Sequence, residues 1–226
     1  DPLEYETVLS CSDPSGNSVV LIGDTAAAVI NMNNAESISC TFRNIMAPEQ
    51  PTACEPGDTW TPKLNFGGGN RGNAVGFSIG TKGYVGTGTY SPDLWEFDPI
   101  ANTWTQKADF DGGYREHATE FTAGGKGYVT TGWDSNLSMM MDDLWEFDPF
   151  ANTWTPRANL VGVPRMYATS FSIGTKGYVG TGLSYGDVNL QDLWEYDADP
   201  TSATYDTWTQ KADLEGVARN QATSFS

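Results

Sequence analysis

Most of this chain is one sequence motif written three times, with a fourth copy begun. The tryptophan that opens each copy occurs at Trp60, Trp104, Trp154 and Trp208. Successive members of this series are 44, 50 and 54 residues apart. Self-similarity at such a period indicates a repeat architecture, because a short unit cannot bury its apolar face alone and must stack against its neighbours.

Each copy divides into four short strands separated by turn signals. In the first copy, residues 74–79 alternate bulky and small side chains before a glycine-bounded turn at 80–83. Residues 93–97 alternate again, the pair Asp98-Pro99 opens a second turn, and residues 102–105 form the fourth strand. Four strands in roughly 40 to 50 residues is the size of one β-propeller blade. The pattern therefore predicts an all-β protein made of twisted antiparallel sheets.

The order of arginine, first strand, glycine-rich second strand and the segment Leu94-Trp95-Glu96-Phe97-Asp98-Pro99 resembles the kelch repeat. The version is that of bacterial surface proteins whose propellers are related to galactose oxidase. The likeness covers residues 60–226, with repeats near 60–103, 104–153 and 154–207 and a partial fourth over 208–226. It implies a β-propeller with three complete blades and part of a fourth. One departure is a Gly-Thr-Gly or Thr-Thr-Gly ending of the second strand, where the family usually has a glycine pair.

Rings of this kind need about six or seven blades to close, so the resemblance implies a ring that is incomplete in this chain. We expect either that the polypeptide continues past Ser226 or that another chain completes the ring. Continuation is favoured because residues 222–226 stop in the middle of a predicted first strand.

Residues 1–46 do not share the repeat. Residues 5–11 and 37–42 alternate like half-buried strands, with further strands predicted at 18–22 and 27–30. The ending Glu36-Ser37-Ile38-Ser39-Cys40-Thr41-Phe42 resembles the last strand of prealbumin-like or immunoglobulin-like modules of bacterial surface proteins. This implies a β-sandwich fragment over 1–46. Residues 47–59 are rich in proline and predict an extended linker.

The chain contains three cysteines and one histidine. The sandwich resemblance implies an intradomain disulfide between Cys11 and Cys40 in an oxidising compartment, the alternative being two reduced buried cysteines. Cys54, in the predicted linker, is either a free thiol or the partner of a cysteine outside this sequence. The spacing of these residues does not match a zinc site.

The charge balance limits the classes of partner. Twelve Lys+Arg against 29 Asp+Glu give a formal net charge of -17. Such an acidic surface repels nucleic-acid phosphates and anionic lipid head groups, so we predict no nucleic-acid partner. No apolar run reaches the roughly 18 to 20 residues that span a bilayer, which predicts no membrane insertion. We expect an extracellular or cell-surface location.

Comparison among the copies separates structural residues from candidate site residues. A residue that is the same in every copy maintains the repeated structure, which we call the frame. Seven of the eight tryptophans are fixed and are predicted to pack between adjacent sheets. An arginine also recurs before each first strand. Arg115 and Arg165 either line the mouth of the ring, where they would contact ligand, or make structural hydrogen bonds.

Variation is concentrated in the loops that join second to third and fourth to first strands, which emerge on one face. The first kind of loop has 4, 10 and 9 residues in successive copies. Because binding residues are often found on such loops, we expect the ligand there. The candidate ligand-binding residues of these loops are Tyr90, His117, Trp133, Asp134, Tyr167 and Tyr185.

Several of these candidates have alternative roles. Trp133 is either a platform for a sugar or a loop anchor that packs on residues 139–141. His117 is either an ordinary loop residue or a catalytic base. Asp134, Asp142 and Asp143 offer oxygen ligands for Ca²⁺, without the glycine-spaced pattern of a known calcium loop. No other cofactor is suggested.

We expect a non-catalytic recognition or adhesion module that binds a glycan or a protein through the variable loops. One alternative is a structural subunit of a bacterial surface filament, sheath or appendage, covered by neighbouring copies. The other is a carbohydrate-active enzyme of the galactose-oxidase kind. That chemistry needs copper held by two histidines and two tyrosines with a thioether-linked cysteine, whereas this chain has one histidine and no cysteine after Cys54, so no enzyme is predicted.

Overall fold

The computed structural model describes residues 5–12, 18–22, 39–46 and 60–223. The chain divides into two compact units, residues 1–61 and 62–226, which are described separately. The described residues form strands and no helix, so they include no helix able to cross a membrane. The all-β class is confirmed. The predicted linker at 47–59 and the strand predicted at 27–30 lie outside the described residues.

The first unit contains one antiparallel sheet. Its strands are β1 (Tyr5–Ser12), β2 (Ser18–Ile22) and β3 (Ser39–Met46), in the order β2-β1-β3. The register places Cys11 of β1 directly opposite Cys40 of β3. Cα atoms of opposed residues in such a pair lie about 4.5 to 5.5 Å apart, a separation that a disulfide can span. The bond itself stays a prediction, and Cys54 lies outside the described residues.

The second unit contains three four-stranded antiparallel sheets, one from each complete copy. The first sheet contains β4 (Val75–Ile79), β5 (Lys82–Gly86), β6 (Leu94–Asp98) and β7 (Thr103–Gln106). The second copy begins with a short strand, β8 (Arg115–Glu116), that lies outside its four-stranded sheet. The second sheet contains β9 (Thr119–Ala123), β10 (Lys126–Thr130), β13 (Leu144–Asp148) and β14 (Thr153–Arg157). The third sheet contains β15 (Thr169–Ile173), β16 (Lys176–Gly180), β19 (Leu193–Asp197) and β20 (Trp208–Gln210).

The long loops carry small sheets of their own. In the second copy, β11 (Trp133–Asp134) lies between β12 (Met139–Met140) and β8. In the third copy, β17 (Leu183–Ser184) pairs with β18 (Val188–Asn189). The variable insertions are therefore ordered hairpins, whereas the shorter loop of the first copy contains no strand.

The first strands β4, β9 and β15 lie side by side, and the sheets pack face to face behind them. The phenylalanines of β4 and β9 each pack on a glycine of the next sheet. A Cβ atom added at Gly127 would meet the Phe77 ring, and one added at Gly177 would meet the Phe121 ring. The repeated glycine of the second strand therefore permits close approach of neighbouring sheets.

The tryptophans that open the copies differ in burial. Trp154 and Trp208 are buried, and their indole N–H groups donate to the carbonyls of Ala108 at 3.2 Å and Ala158 at 2.8 Å. Trp60 is fully exposed. The prediction that it packs between sheets is wrong in this structure, because residues 60–66 form no strand that joins a sheet.

The middle threonine of the Gly-Thr-Gly or Thr-Thr-Gly segment, a departure from the glycine pair of kelch repeats, has an unusual backbone. Thr87, Thr131 and Thr181 have φ angles of 54°, 61° and 60° and are buried. This left-handed conformation strains a β-branched residue and favours glycine. The departure therefore lies at a position whose backbone still has the conformation that suits glycine.

Candidate functional site

A buried hydrogen-bond network holds each copy together beneath its variable loops. In the second copy, Arg115 donates to both carboxylate oxygens of Asp143, at 2.7 and 2.8 Å, and to the carbonyls of Thr131 and Gly112 at 2.8 and 2.9 Å. Asp143 also accepts the indole N–H of Trp145 at 2.8 Å. Paired charges with several hydrogen bonds in a buried position fix the geometry of the chain around them.

The same network occurs in the neighbouring copies. Arg165 donates to both oxygens of Asp192 at 2.6 Å, and Trp194 donates to that carboxylate at 2.7 Å. Burial by itself would raise the pKa of Asp192, but the hydrogen bonds from Arg165 and Trp194 hold it below its ordinary value. Arg115 and Arg165 have no exposed surface. We therefore remove both arginines from the ligand-contact candidates, and the structural alternative fits them.

Two further series of backbone hydrogen bonds connect successive copies. The residues two places after each arginine are Asn73, His117, Tyr167 and Gln221, with φ angles of 55° to 58°. The N–H groups of the last three donate to the carbonyl of the equivalent residue in the preceding copy, at 3.0 to 3.3 Å. The glycine two residues after each second strand donates its N–H to the arginine carbonyl of the next copy at 2.8 to 2.9 Å. Variable residues from different copies are thereby held side by side.

An aromatic cleft of about 520 Å³ opens where these residues meet. It is lined by Tyr90, Glu116, His117, Trp133, Ser135, Met166 and Tyr167. Four of the sequence-predicted candidates therefore share one cleft, although they come from three copies. The His117 and Tyr167 rings lie 4.2 Å apart between centroids, and the Tyr167 hydroxyl lies 3.2 Å from His117 Nε2.

The polar groups of the aromatic cleft centre on Glu116. Its carboxylate accepts hydrogen bonds from Ser135 Oγ at 2.9 Å and from Asn73 Nδ2 at 3.3 Å. Burial lowers the pKa of His117, and the nearby Glu116 charge opposes that shift only in part. His117 is therefore neutral near pH 7, and the lining residues carry one carboxylate and no cation.

Trp133 is paired within the small sheet and also lines the aromatic cleft. In the register of the small sheet it stands opposite Met140 on one side and Glu116 on the other. The side chain is half-buried and also lines the aromatic cleft. Of its two predicted roles, the loop anchor fits this pairing, and the platform for a sugar stays a prediction.

Asp134 and Tyr185 lie outside the lining of this cleft. Asp134 is buried, and its Oδ1 accepts the N–H groups of Asn136 at 2.8 Å and Leu137 at 2.9 Å. It thus stabilises the turn of the loop. The hydroxyl of Tyr185 accepts the N–H of Met140 at 2.7 Å and connects the loops of the second and third copies.

The three aspartates suggested for Ca²⁺ have separate roles. Asp134 caps a turn and Asp143 is paired with Arg115. Asp142 accepts Asn159 Nδ2 at 3.3 Å, and burial raises its pKa. Within the described ranges, no three side chains of His, Cys, Asp or Glu come together in a way that would hold a metal ion. These residues therefore offer no calcium geometry.

Glu116, Ser135 and Met166 were not among the candidate ligand-binding residues, although Glu116 and Met166 directly follow the recurring arginines in the variable loops. Sequence reasoning also passed over Glu120, which lines a second cavity of about 690 Å³ between β4, β9 and β15. Comparison of the copies could have found this residue, because the equivalent positions hold Gly76 and Ser170 and only the second copy has an acid there.

Comparison with known proteins gives a fold likeness. No family model matches the sequence, and no curated protein matches it. The solved structure described as "Structure of YjhT" superposes with a TM-score of 0.61 at 18% identity. The match covers 71% of this chain and 57% of that chain, so this chain spans little more than half the length of its structural neighbour. At this identity the two proteins are similar in fold alone.

Proposed function

We propose that residues 60–226 are kelch-type β-propeller blades, three complete and a fourth in part, and that the chain is a non-catalytic extracellular recognition module. Three observations support the propeller: four-stranded sheets of one pattern, first strands that lie side by side, and sheet faces that pack through repeated glycines. The ligand we favour is a glycan. The single observation that carries this proposal is the aromatic cleft.

The chemistry of the aromatic cleft suits a sugar. A pyranose presents C–H groups that pack on the faces of Tyr90, Trp133 and Tyr167, and hydroxyls that donate to the Glu116 carboxylate. Its volume lies in the range of roughly 300 to 1,000 Å³ that is usual for small-molecule sites lined by aromatic side chains and a few polar groups. Because the lining contains a carboxylate and no cation, the ligand class is a neutral sugar rather than a sialic or uronic acid.

A glycan array followed by titration of the best neutral sugar tests the proposal. Trp133→Ala should weaken binding at least about tenfold, because a central aromatic contact contributes more than about 1.4 kcal/mol. Phe150→Ala is the matched control, since Phe150 is an almost fully exposed aromatic residue away from the cleft. Absence of binding to every neutral glycan, or equal binding by the Trp133→Ala protein, would contradict it. Binding only to a protein in a pull-down would favour the protein-partner alternative.

A second candidate function, a structural subunit of a surface assembly, is favoured by uneven burial of equivalent residues. Phe121 is buried in the second sheet, but its equivalent Phe171 is only half-buried, and Ile173 beside it is exposed. Trp104 is likewise less buried than Trp154. Such faces bind further sheets, from this polypeptide or from a neighbouring copy. A monomeric mass in solution, with no fibres by electron microscopy, would argue against an assembly.

The extracellular location rests on the cysteine register. Oxidation of Cys11 and Cys40 predicts that the denatured, unreduced protein has one reactive thiol, from Cys54, and that reduction exposes all three. Closing a loop of this length stabilises the folded state by about 3 to 4 kcal/mol in the chain-entropy model. Thiol titration with and without reductant checks this, with Cys40→Ser as the control that should leave two reactive thiols. Three reactive thiols before reduction would remove this support.

A further inference from the structure

The second cavity, which Glu120 lines and which we call the inner-strand cavity, is separate from the aromatic cleft. It opens between β4, β9 and β15, extends over β5, β6 and β7 of the first sheet and to Ala222 and Thr223, and has a volume of about 690 Å³. Hydroxyl groups form much of its polar lining, from residues Ser78, Thr119, Thr122, Ser170 and Ser172. Glu120 in the middle of β9 is the carboxylate among the residues that line it.

Glu120 departs from the repeat in a way that the frame does not require. In the third copy the equivalent position is Ser170, whose hydroxyl donates to the main-chain carbonyl of Glu120. The main-chain N–H of Gly76 on β4 favours the ionised form of the Glu120 carboxyl group, although burial outweighs it. A neutral hydroxyl thus suffices to connect neighbouring first strands, yet the second copy has an acid there.

The acid lacks a compensating charge. Burial raises the pKa of Glu120 to about 7. Strands β4 and β15 contain no titratable residue, and the described residues that line the cavity include no Lys, Arg or His. The titratable groups of the adjacent strands, and Tyr84 in the lining, bond to partners of their own: Lys126 to Asp148, Lys176 to Asp197, Tyr128 to Glu146, Tyr178 to Glu195 and Tyr84 to Glu96.

A carboxylate that is partly removed from water and has no cation beside it costs free energy in its ionised form, and a bound cation offsets that cost. We propose that the inner-strand cavity binds an organic cation, with a primary ammonium group against the Glu120 carboxylate and the surrounding hydroxyls as further acceptors. A metal ion fits less well, because no cluster of three acidic, histidine or cysteine ligands exists among the described residues. This site does not depend on the glycan proposal.

Calorimetric titration with methylammonium and with putrescine tests the assignment on the whole chain. At about pH 8 the wild-type protein should bind, and Glu120→Gln should lower the affinity at least about tenfold, as loss of a charged partner requires. At about pH 5 the wild-type affinity should fall similarly, because the carboxyl group is then protonated. Glu215→Gln changes the net charge equally at an exposed position and is the matched control.

Several outcomes would overturn the proposal: no heat of binding with either amine, equal binding by the Glu120→Gln protein, or a Glu120-dependent response to Ca²⁺ with none to the amines. Glu120→Ser, which places the residue of the third copy in the second, provides a second variant that the frame should accept. Glycan binding should be unchanged in both variants, so failure of this proposal is distinguishable from failure of the aromatic cleft.

The ligand-free protein gives an independent readout. A carboxyl group whose folded-state pKa lies above its unfolded value of about 4.3 makes the fold less stable as pH rises from about 4 to about 7. Glu120→Gln should therefore be more stable than wild type above about pH 7 and similar to it below about pH 4. A stability difference that does not change with pH would mean that Glu120 is not the uncompensated acid that the site requires.

Discussion

The two faces of the small sheet in the second copy differ, because one is buried and the other lines the aromatic cleft. Strands β8 and β11 pair so that Asp134 stands opposite Arg115, and Trp133 stands opposite Glu116. Arg115 and Asp134 are buried, whereas Trp133 and Glu116 line the aromatic cleft. Because successive side chains of a strand point to opposite faces, one residue step separates a buried frame position from a position that lines the aromatic cleft.

The third copy shows which face is free to change. Arg165 is as buried as Arg115, and Ser184 at the position of Asp134 is also buried. The half-buried pair is different, since a bridge joins Met166 and Leu183 where the second copy has Glu116 and Trp133. The fold therefore constrains one side of the ladder and leaves the residues of the other side free to differ between copies.

The largest expected effect separates adjacent residues. Arg115→Ala should destabilise the protein by about 3 to 5 kcal/mol, because it leaves Asp143 partly buried without its cation. Glu116→Ala should cost less than about 1 kcal/mol, since it removes hydrogen bonds at the edge of a cleft. Urea denaturation of both variants measures the difference. Similar losses of stability would show that the two faces are not separate.

The next effect concerns acid pH. The pKa of Asp192 is lowered in the folded protein, so its stabilising contribution is present above the unfolded value of about 3.9 and is lost as pH falls through the folded value. Asp192→Asn should cost about 1.5 to 3 kcal/mol near pH 7 and flatten the acid limb of the stability curve. Asp187→Asn, in an exposed loop, is the control. Thermal unfolding across pH checks it, and an unchanged acid limb would contradict it.

A smaller effect concerns the strained threonine beside the frame. Thr131→Gly should be more stable than Thr131→Ala by about 1 kcal/mol, because alanine keeps the penalty of a positive φ angle and glycine does not. Comparing these two variants removes most of the effect of losing the threonine side chain. A more stable alanine variant would show that the positive φ angle does not strain this position.

The smallest effect on stability is expected from exchanging the cleft pair. The double substitution Glu116→Met and Trp133→Leu gives the second copy the residues of the third. Stability should change by no more than about 1 kcal/mol, whereas neutral-sugar binding should be lost. Thermal unfolding and glycan titration on the same protein check both statements. A large loss of stability would assign Trp133 to the frame.

Sequence comparison among the copies predicted the sheets well, because each strand and turn is specified by residues close together in the chain. Alternating side chains gave the strands of all three sheets, and the Asp98-Pro99 pair marked a turn correctly. The site was less predictable. Tyr90, Trp133 and Tyr167 were selected as variable loop residues, but Tyr185 and Asp134 were selected on the same evidence and have structural roles.

The sequence by itself determined the all-β class, the number of copies, the order of strands within each copy and the face on which variation occurs. These features depend on side-chain alternation and turn residues within about 50 residues, so each copy contains them in full. Only the tertiary structure decided which variable residues meet and which charged residues lose contact with water. Glu116 lines the aromatic cleft, and Glu120 lines the inner-strand cavity, because residues of neighbouring copies lie beside them. The stacking of the sheets sets the distances between those copies.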